Sequence, residues 1–98
     1  MAKRVIVWSE FAKIELKYIL DFYNFRNKSK IYSQNLFRKI QSELNLIILH
    51  PEIGKKTNLI GVRGLIIENH IVYYEVNENH IIILSIWDTR QNPNRLKL

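Results

Sequence analysis

Cysteine is absent from this chain, and glycine and proline are scarce, at three and two residues. The first absence excludes a thiolate zinc site, a disulfide framework and a cysteine nucleophile, and it accords with a reducing, cytoplasmic setting. Three histidines, His50, His70 and His80, have no partner at helical or hairpin spacing, so no metal and no cofactor is expected. Long apolar runs are also missing. Met-Ala-Lys-Arg is followed by only the short run Val5-Ile6-Val7-Trp8 before Ser9 and Glu10, too little for a signal peptide's apolar core, and no stretch approaches a membrane span. A soluble chain without a membrane partner is expected. Acidic residues are few, 9 against 15 Lys and Arg, for a formal charge of +6. On so small a chain this favours an acidic partner, nucleic acid or protein. No repeat, low-complexity stretch or linker divides the 98 residues, which are read as a single domain, 1–98.

The organising stretch runs from Gly61 to Pro93. Short β-branched and aromatic runs are separated by Asn-His and Asn-Glu-Asn, the pattern of two consecutive hairpins and hence three antiparallel strands. Only Glu68, Glu75 and Ser85 interrupt the apolar runs, so at least one face of the sheet needs cover from upstream. Val5–Trp8 reads as a strand. Ser9 caps a helix, with Glu10 suited to its positive end. From Phe11 to Phe25 the apolar residues fall at Phe11, Ile14, Tyr18, Phe22 and Phe25, flanked by Ile19, Leu20 and Tyr23; this predicts a wide buried stripe. A second helix, with Ser29 as its cap, carries Tyr32, Leu36, Phe37, Ile40, Leu44, Ile47 and Ile48 on one face and ends near His50, before Pro51. The two form an antiparallel helical hairpin whose stripe covers the sheet. Pro51 to Leu59 reads as a polar, basic loop. The expected class is α+β: an N-terminal strand, a helical hairpin and a small antiparallel sheet.

Three groups of residues, in order, resemble the RelE/ParE family of bacterial toxins, in its ParE-like, plasmid-stabilisation branch. They are Trp8-Ser9 opening a helix with Ala12, Leu16, Ile19, Phe22 and Tyr23; the Pro51-Glu52-Ile53-Gly54 turn; and a series along the sheet. That series runs from Val62-Arg63-Gly64 through Ile71-Val72-Tyr73-Tyr74-Glu75-Val76 and Ile82-Ile83-Leu84 to Trp87-Asp88-Thr89-Arg90-Gln91-Asn92-Pro93. The resemblance implies a growth-inhibiting toxin neutralised by an acidic antitoxin, whose tail wraps the toxin's helices and sheet, with a higher-order complex of the two left open. The target it implies is DNA gyrase, with a RelE-like, ribosome-dependent cleavage of messenger RNA as the alternative, and a non-toxic basic binding module or degenerate toxin as the third reading.

Metal-independent RNA cleavage needs a base, a cation for the developing phosphorane charge and an acid for the leaving oxygen. In RelE-type ribonucleases Lys, Arg and Tyr on the exposed sheet face and near the C-terminus meet these needs. Here Arg63 and Arg90 fall near such positions, with His70, beside Glu68 in a hairpin turn, as a candidate base. Ile71 stands where a second arginine is usual, and Leu96 stands in the region of the terminal tyrosine, so the catalytic set is incomplete. The target-binding candidates are Arg63, Tyr73, Trp87, Arg90, Gln91, Asn92 and Arg95. Arg63 and Arg90 have a structural alternative in ion pairs with Glu68, Glu75 or Asp88. Tyr73 and Tyr74 point to opposite faces, one expected in the core and the other exposed. Lys55 and Lys56 either meet phosphate or simply solvate their loop.

Overall fold

A computed structural model describes residues 3–89. Strand β1 (Val5–Trp8) leads into helix α1 (Glu10–Asn27), then α2 (Ile31–Leu49), a single 3₁₀ turn (Pro51–Ile53) and a two-residue strand β2 (Lys55–Lys56). Three longer strands follow: β3 (Val62–Ile67), β4 (His70–Val76) and β5 (His80–Asp88). The sheet order is β1-β5-β4-β3-β2. β3, β4 and β5 pair antiparallel through the two expected hairpins. β1 pairs with β5 in parallel, because the helical hairpin carries the chain back across the sheet before β5 is reached, so the five-stranded sheet is mixed. The Pro51–Leu59 stretch differs from a plain loop. Lys55 and Lys56 ladder onto Gly64 and Arg63 as an edge strand.

Both helices lie on one face of the sheet. The core joins Ala12 and Tyr23 of α1 and Leu36, Ile40, Leu44 and Ile47 of α2 to Ile67, Val72, Tyr74, Ile81, Ile83 and Ile86 of the sheet. The face predicted for α2 is the one it buries, although Tyr32 at its edge stays exposed. The cap position of α2 falls on Lys30 and not on the expected Ser29, and no side chain caps it there; Ser29, one residue earlier, accepts a hydrogen bond at Oγ from Ile31 N. A polar link joins the helices where Ser33 Oγ donates to Asn24 Oδ1, with the Lys30 carbonyl as the alternative acceptor within its own helix.

The face predicted for α1 is corrected. Phe11, Ile14, Tyr18, Phe22 and Phe25 are exposed, at 53%, 67%, 70%, 46% and 86% of their surface. The face turned inward instead carries Ala12 and Tyr23, with Leu16, Ile19 and Leu20 packed beside them. α1 is apolar on two sides, so periodicity alone could not choose between them. Polar tethers made the choice. Ser9 Oγ accepts from Ala12 N as the N-cap and donates to Leu84 O at 3.2 Å, while Ser9 N donates to Ile83 O. One turn on, a Glu15 carboxylate oxygen accepts from Ser85 Oγ at 2.9 Å and from Ile86 N at 3.0 Å. Rolling the helix to bury the aromatic stripe would break the Glu15 bonds.

Those tethers exist because β5 is bulged. Tyr73 pairs with Ser85 but Tyr74 pairs with Ile83, which leaves Leu84 without a partner on β4. The extra residue advances the side-chain phase, so core positions on β5 step by two from Ile81 to Ile83 and by three from Ile83 to Ile86. It also turns Leu84 O and Ser85 Oγ toward α1.

Candidate functional site

Residues directly opposed in an antiparallel ladder share a face. Arg63 opposes Tyr74, a core residue with no exposed surface, so its side chain leaves the sheet on the helix side. There its guanidinium Nη1 donates to Gly54 O at 2.8 Å and Glu52 O at 3.2 Å. The Tyr74 hydroxyl donates to Pro51 O at 2.8 Å and accepts from Gly54 N at 2.9 Å. Together the two side chains clamp the turn that follows α2. Burial pushes the Tyr74 phenol up, opposed by the Gly54 hydrogen bond and by the Arg63 charge. The alternative of ion pairs between Arg63 and Glu68, Glu75 or Asp88 gives way to these carbonyl bonds.

Among the described residues, no helix lies on the other face of the sheet. Ladder register places Val62, Gly64, Ile66, Ile71, Tyr73, Glu75, Ile82 and Trp87 there, with Val7 of β1 beside Ile82 and Val5 beside His80. Val5, Val7 and Ile66 are 59%, 41% and 61% exposed, and Trp87 and Ile71, directly opposed, are half-buried. Arg63 is the only arginine or lysine in β3, β4 and β5, and it points the other way. Over β3, β4 and β5 the open face is therefore largely apolar and aromatic and carries no cation, while Lys55 of the edge strand β2, opposite Gly64, brings one to its rim. Tyr73 departs from expectation: it lies on this face as predicted, yet only 9% of it is exposed. Its ring rests over Gly64, where an added Cβ would sit 3.2 Å from Tyr73 Cε1, so the missing side chain makes the bed for the ring.

His70 is also corrected. The β3–β4 turn consists of Glu68 and Asn69, with Glu68 in the left-handed region at φ 56°, and His70 is the first residue of β4. Its side chain is 1% exposed on the helix side, edge-on to Tyr23 with ring centroids 6.3 Å apart. A ring in that position is out of reach of a solvent-borne 2′-hydroxyl. His50 ends α2 and His80 opens β5, both exposed. Lys55 and Lys56 are exposed as edge-strand residues. Arg90, Gln91, Asn92 and Arg95 lie outside the described residues, as does Leu96. Among the described residues no cluster of His, Asp or Glu could hold a metal ion, and no helix is long and apolar enough to cross a membrane.

Glu15 was missed by sequence reasoning. It lines a cavity of about 430 Å³ between α1 and the ends of β4 and β5, walled by Ile14, Tyr18, Phe22, Ile86 and Trp87. Burial holds its carboxyl above the ordinary glutamate range, against the lowering effect of the Ile86 and Ser85 hydrogen bonds. The raised native value means the folded state binds the proton more readily than the unfolded chain does. This group's stabilising contribution is therefore fully present below the unfolded value of about 4.3 and is lost as pH rises through the native one. Glu15→Gln should flatten the stability profile across that window, measured by urea denaturation at several pH values. A wild-type profile that rises with pH there because of Glu15 would contradict the assignment.

The match to known proteins is decided over nearly the whole chain. The profile described as "ParE toxin of type II toxin-antitoxin system, parDE" covers residues 6–93. The chain belongs to the ParE toxin family. Among solved structures the toxin is similar to a chain of the chromosomal ParDE TA system from P. aeruginosa, with a TM-score of 0.76 and 20% identity over 90% of this chain and 98% of that one. It is also similar to the YoeB dimer from Staphylococcus aureus, with a TM-score of 0.63 and 26% identity over 88% and 97% of the two chains. No curated protein matches its sequence. These likenesses fit the α+β RelE/ParE fold, with two helices over a mixed five-stranded sheet.

Proposed function

We propose that this toxin acts by binding a protein target in the bacterial cytoplasm, DNA gyrase, rather than by cutting messenger RNA, and that an acidic antitoxin holds it inactive. The observation that carries the first part is the character of the open sheet face. A surface that stabilises a phosphorane needs cations aimed at it. Here the one arginine of β3–β5 is held on the opposite side by Gly54 O and Glu52 O, and the open face presents Val5, Val7, Ile66, Ile71 and Trp87. Apolar and aromatic surface is the currency of protein recognition. Residues Arg90, Gln91, Asn92 and Arg95, which follow β5, together with Trp87 and Tyr73, are the proposed target contacts.

The antitoxin rests on the family match and on the charge of +6. A flexible acidic tail would lose entropy on wrapping the toxin, so its contact must bury substantial apolar surface in return. Expression of the toxin alone should arrest growth of a bacterial host, and co-expression of a small acidic protein from the adjoining reading frame should restore it. The complex should survive moderate salt, because apolar contact sets its dissociation while charge mainly speeds encounter. Normal growth in the presence of abundant, folded toxin would sink the assignment.

A further inference from the structure

Residues 57–61, Thr-Asn-Leu-Ile-Gly, join β2 to β3 and put two aliphatic side chains into water. Ile60 is 102% exposed and Leu59 43%. Apolar residues scattered singly over a surface are ordinary, whereas two held side by side at the tip of an ordered loop call for a partner. The order comes from the loop's own bonds. Val62 N donates to Leu59 O at 3.2 Å and Gly61 stands at φ 81°, which is a type II turn with Ile60 at its first corner. Thr57 Oγ1 accepts from Leu59 N at 3.1 Å and donates to Val62 O at 2.9 Å, the carbonyl that also accepts from Thr57 N. Both stems are pinned below. The Arg63 guanidinium and the Tyr74 hydroxyl grip Gly54 at the foot of β2, and Arg63 is itself the second residue of β3.

We propose that this loop is a docking element for the toxin's protein target, with Ile60 and Leu59 entering an apolar pocket and Lys55 and Lys56 meeting acidic groups at its rim. The proposal deepens, and rests on, the reading that the toxin acts by binding a protein.

Charge gives the rim its sign. From Ile53 to Ile67 the chain carries Lys55, Lys56 and Arg63 and no acidic residue. Successive residues of a strand point to opposite faces. Lys55, opposite Gly64, therefore lies on the side of the open face, and Lys56, opposite Arg63, on the side of the helices. The two ammonium groups flank the stem of the loop. An apolar anchor within a polar rim is the arrangement of protein interfaces. Because the turn already fixes the anchor, docking costs it little conformational freedom.

Position links the loop to the surface already assigned to the target. Val62, the residue after the loop, lies on the open face four residues along β3 from Ile66, roughly 13 Å at the rise of a strand. One target footprint covers both. Nucleic acid fits less well. Single strands are held by stacking on aromatic rings or arginine planes. The loop offers neither, since the Arg63 guanidinium is committed to Gly54 O and Glu52 O.

The test is biolayer interferometry between immobilised DNA gyrase and full-length toxin made by cell-free translation, which bypasses the growth defect. Ile60→Asp should weaken binding by roughly tenfold or more, the scale of a buried anchor, and Ile60→Leu should retain most of it. Neither should change the melting temperature, because the Ile60 side chain lies wholly outside the core. Lys55→Gln/Lys56→Gln should slow association several-fold at low salt and leave dissociation nearly unchanged. Trp87→Ala reports on the open face separately. Wild type that binds, weakened by Trp87→Ala but not by Ile60→Asp, overturns this proposal alone. Wild type that does not bind gyrase overturns the target reading and the proposal with it. An Ile60→Asp toxin that keeps gyrase but loses the antitoxin, or loses retention on a labelled DNA duplex, also overturns it and assigns the loop to that partner.

Discussion

Adding one methyl group at Gly54 should lower the melting temperature by roughly 12–24 °C, the equivalent of about 3 kcal/mol for a domain of this size. A Cβ at that position would lie 2.6 Å from Tyr74 Oη, 2.9 Å from Tyr74 Cε1 and 3.0 Å from Gly64 O. The last of these is backbone, and Tyr74 is fully buried among core residues, so neither neighbour moves aside cheaply. The phenol must swing away, losing its bonds to Pro51 O and Gly54 N, and the turn must shift from the Arg63 guanidinium. An unsatisfied buried donor costs about 1–3 kcal/mol by itself, and overpacking adds a similar amount. Tyr74→Phe separates the two costs. It keeps the ring but removes the hydroxyl, for a loss of about 1–3 kcal/mol. It also removes the nearest clash, so Gly54→Ala combined with Tyr74→Phe should be less destabilised than the sum of the single variants. Urea denaturation of the four proteins measures this coupling. A Gly54→Ala protein within about 0.5 kcal/mol of wild type, the range of an ordinary surface substitution, would mean that the clamp does not hold the turn.

This clamp also marks the limit of what the sequence discloses. Apolar patterning located β1, both helices and the three long strands, because each buries one side at the period of its own backbone. It put one of Tyr73 and Tyr74 in the core but could not give the Tyr74 hydroxyl a partner, since Gly54 and Pro51 are 20 and 23 residues upstream. Arg63 illustrates the same gap. A lone arginine at a strand end suggests a ligand, and only the register with Tyr74 reveals that it faces the helix side and binds carbonyls. His70 was placed in a turn because Asn-His was taken as the loop, whereas Glu68 accepts positive φ and moves the turn one residue earlier. The error on α1 has a different origin. With apolar residues on both sides, the inward face was fixed by Ser9 and Glu15 engaging a bulge in β5, a long-range feature without a local signature. A carboxylate between Ala12 and Ile19, on the flank of an apolar helix face, was the available hint.

The second large effect separates the two modes of action. Purified toxin should inhibit supercoiling by gyrase and leave messenger RNA intact in a translation extract. An RNase built on this fold would need a base, a cation and an acid at the reacting phosphate, and general acid–base assistance is worth about 10²–10⁴ in rate. His70 is buried against Tyr23, Arg63 is turned away from the open face, and Ile71 occupies the position where a second arginine is usual. Positioning by a ribosome could recover part of that loss. A gyrase binder needs only a shaped surface, and Trp87 opposite Ile71, with Ile66, offers one on the open face. Trp87→Ala should therefore weaken supercoiling inhibition by tenfold or more, the usual scale for an aromatic anchor of about 2 kcal/mol. Arg90→Ala should reduce inhibition with little change in melting temperature, the outcome expected of a residue that contacts the target and does not support the fold. Codon-phased cleavage in the extract, abolished by Arg90→Ala while gyrase is unaffected, would reverse this conclusion and place the chemistry on residues beyond Thr89.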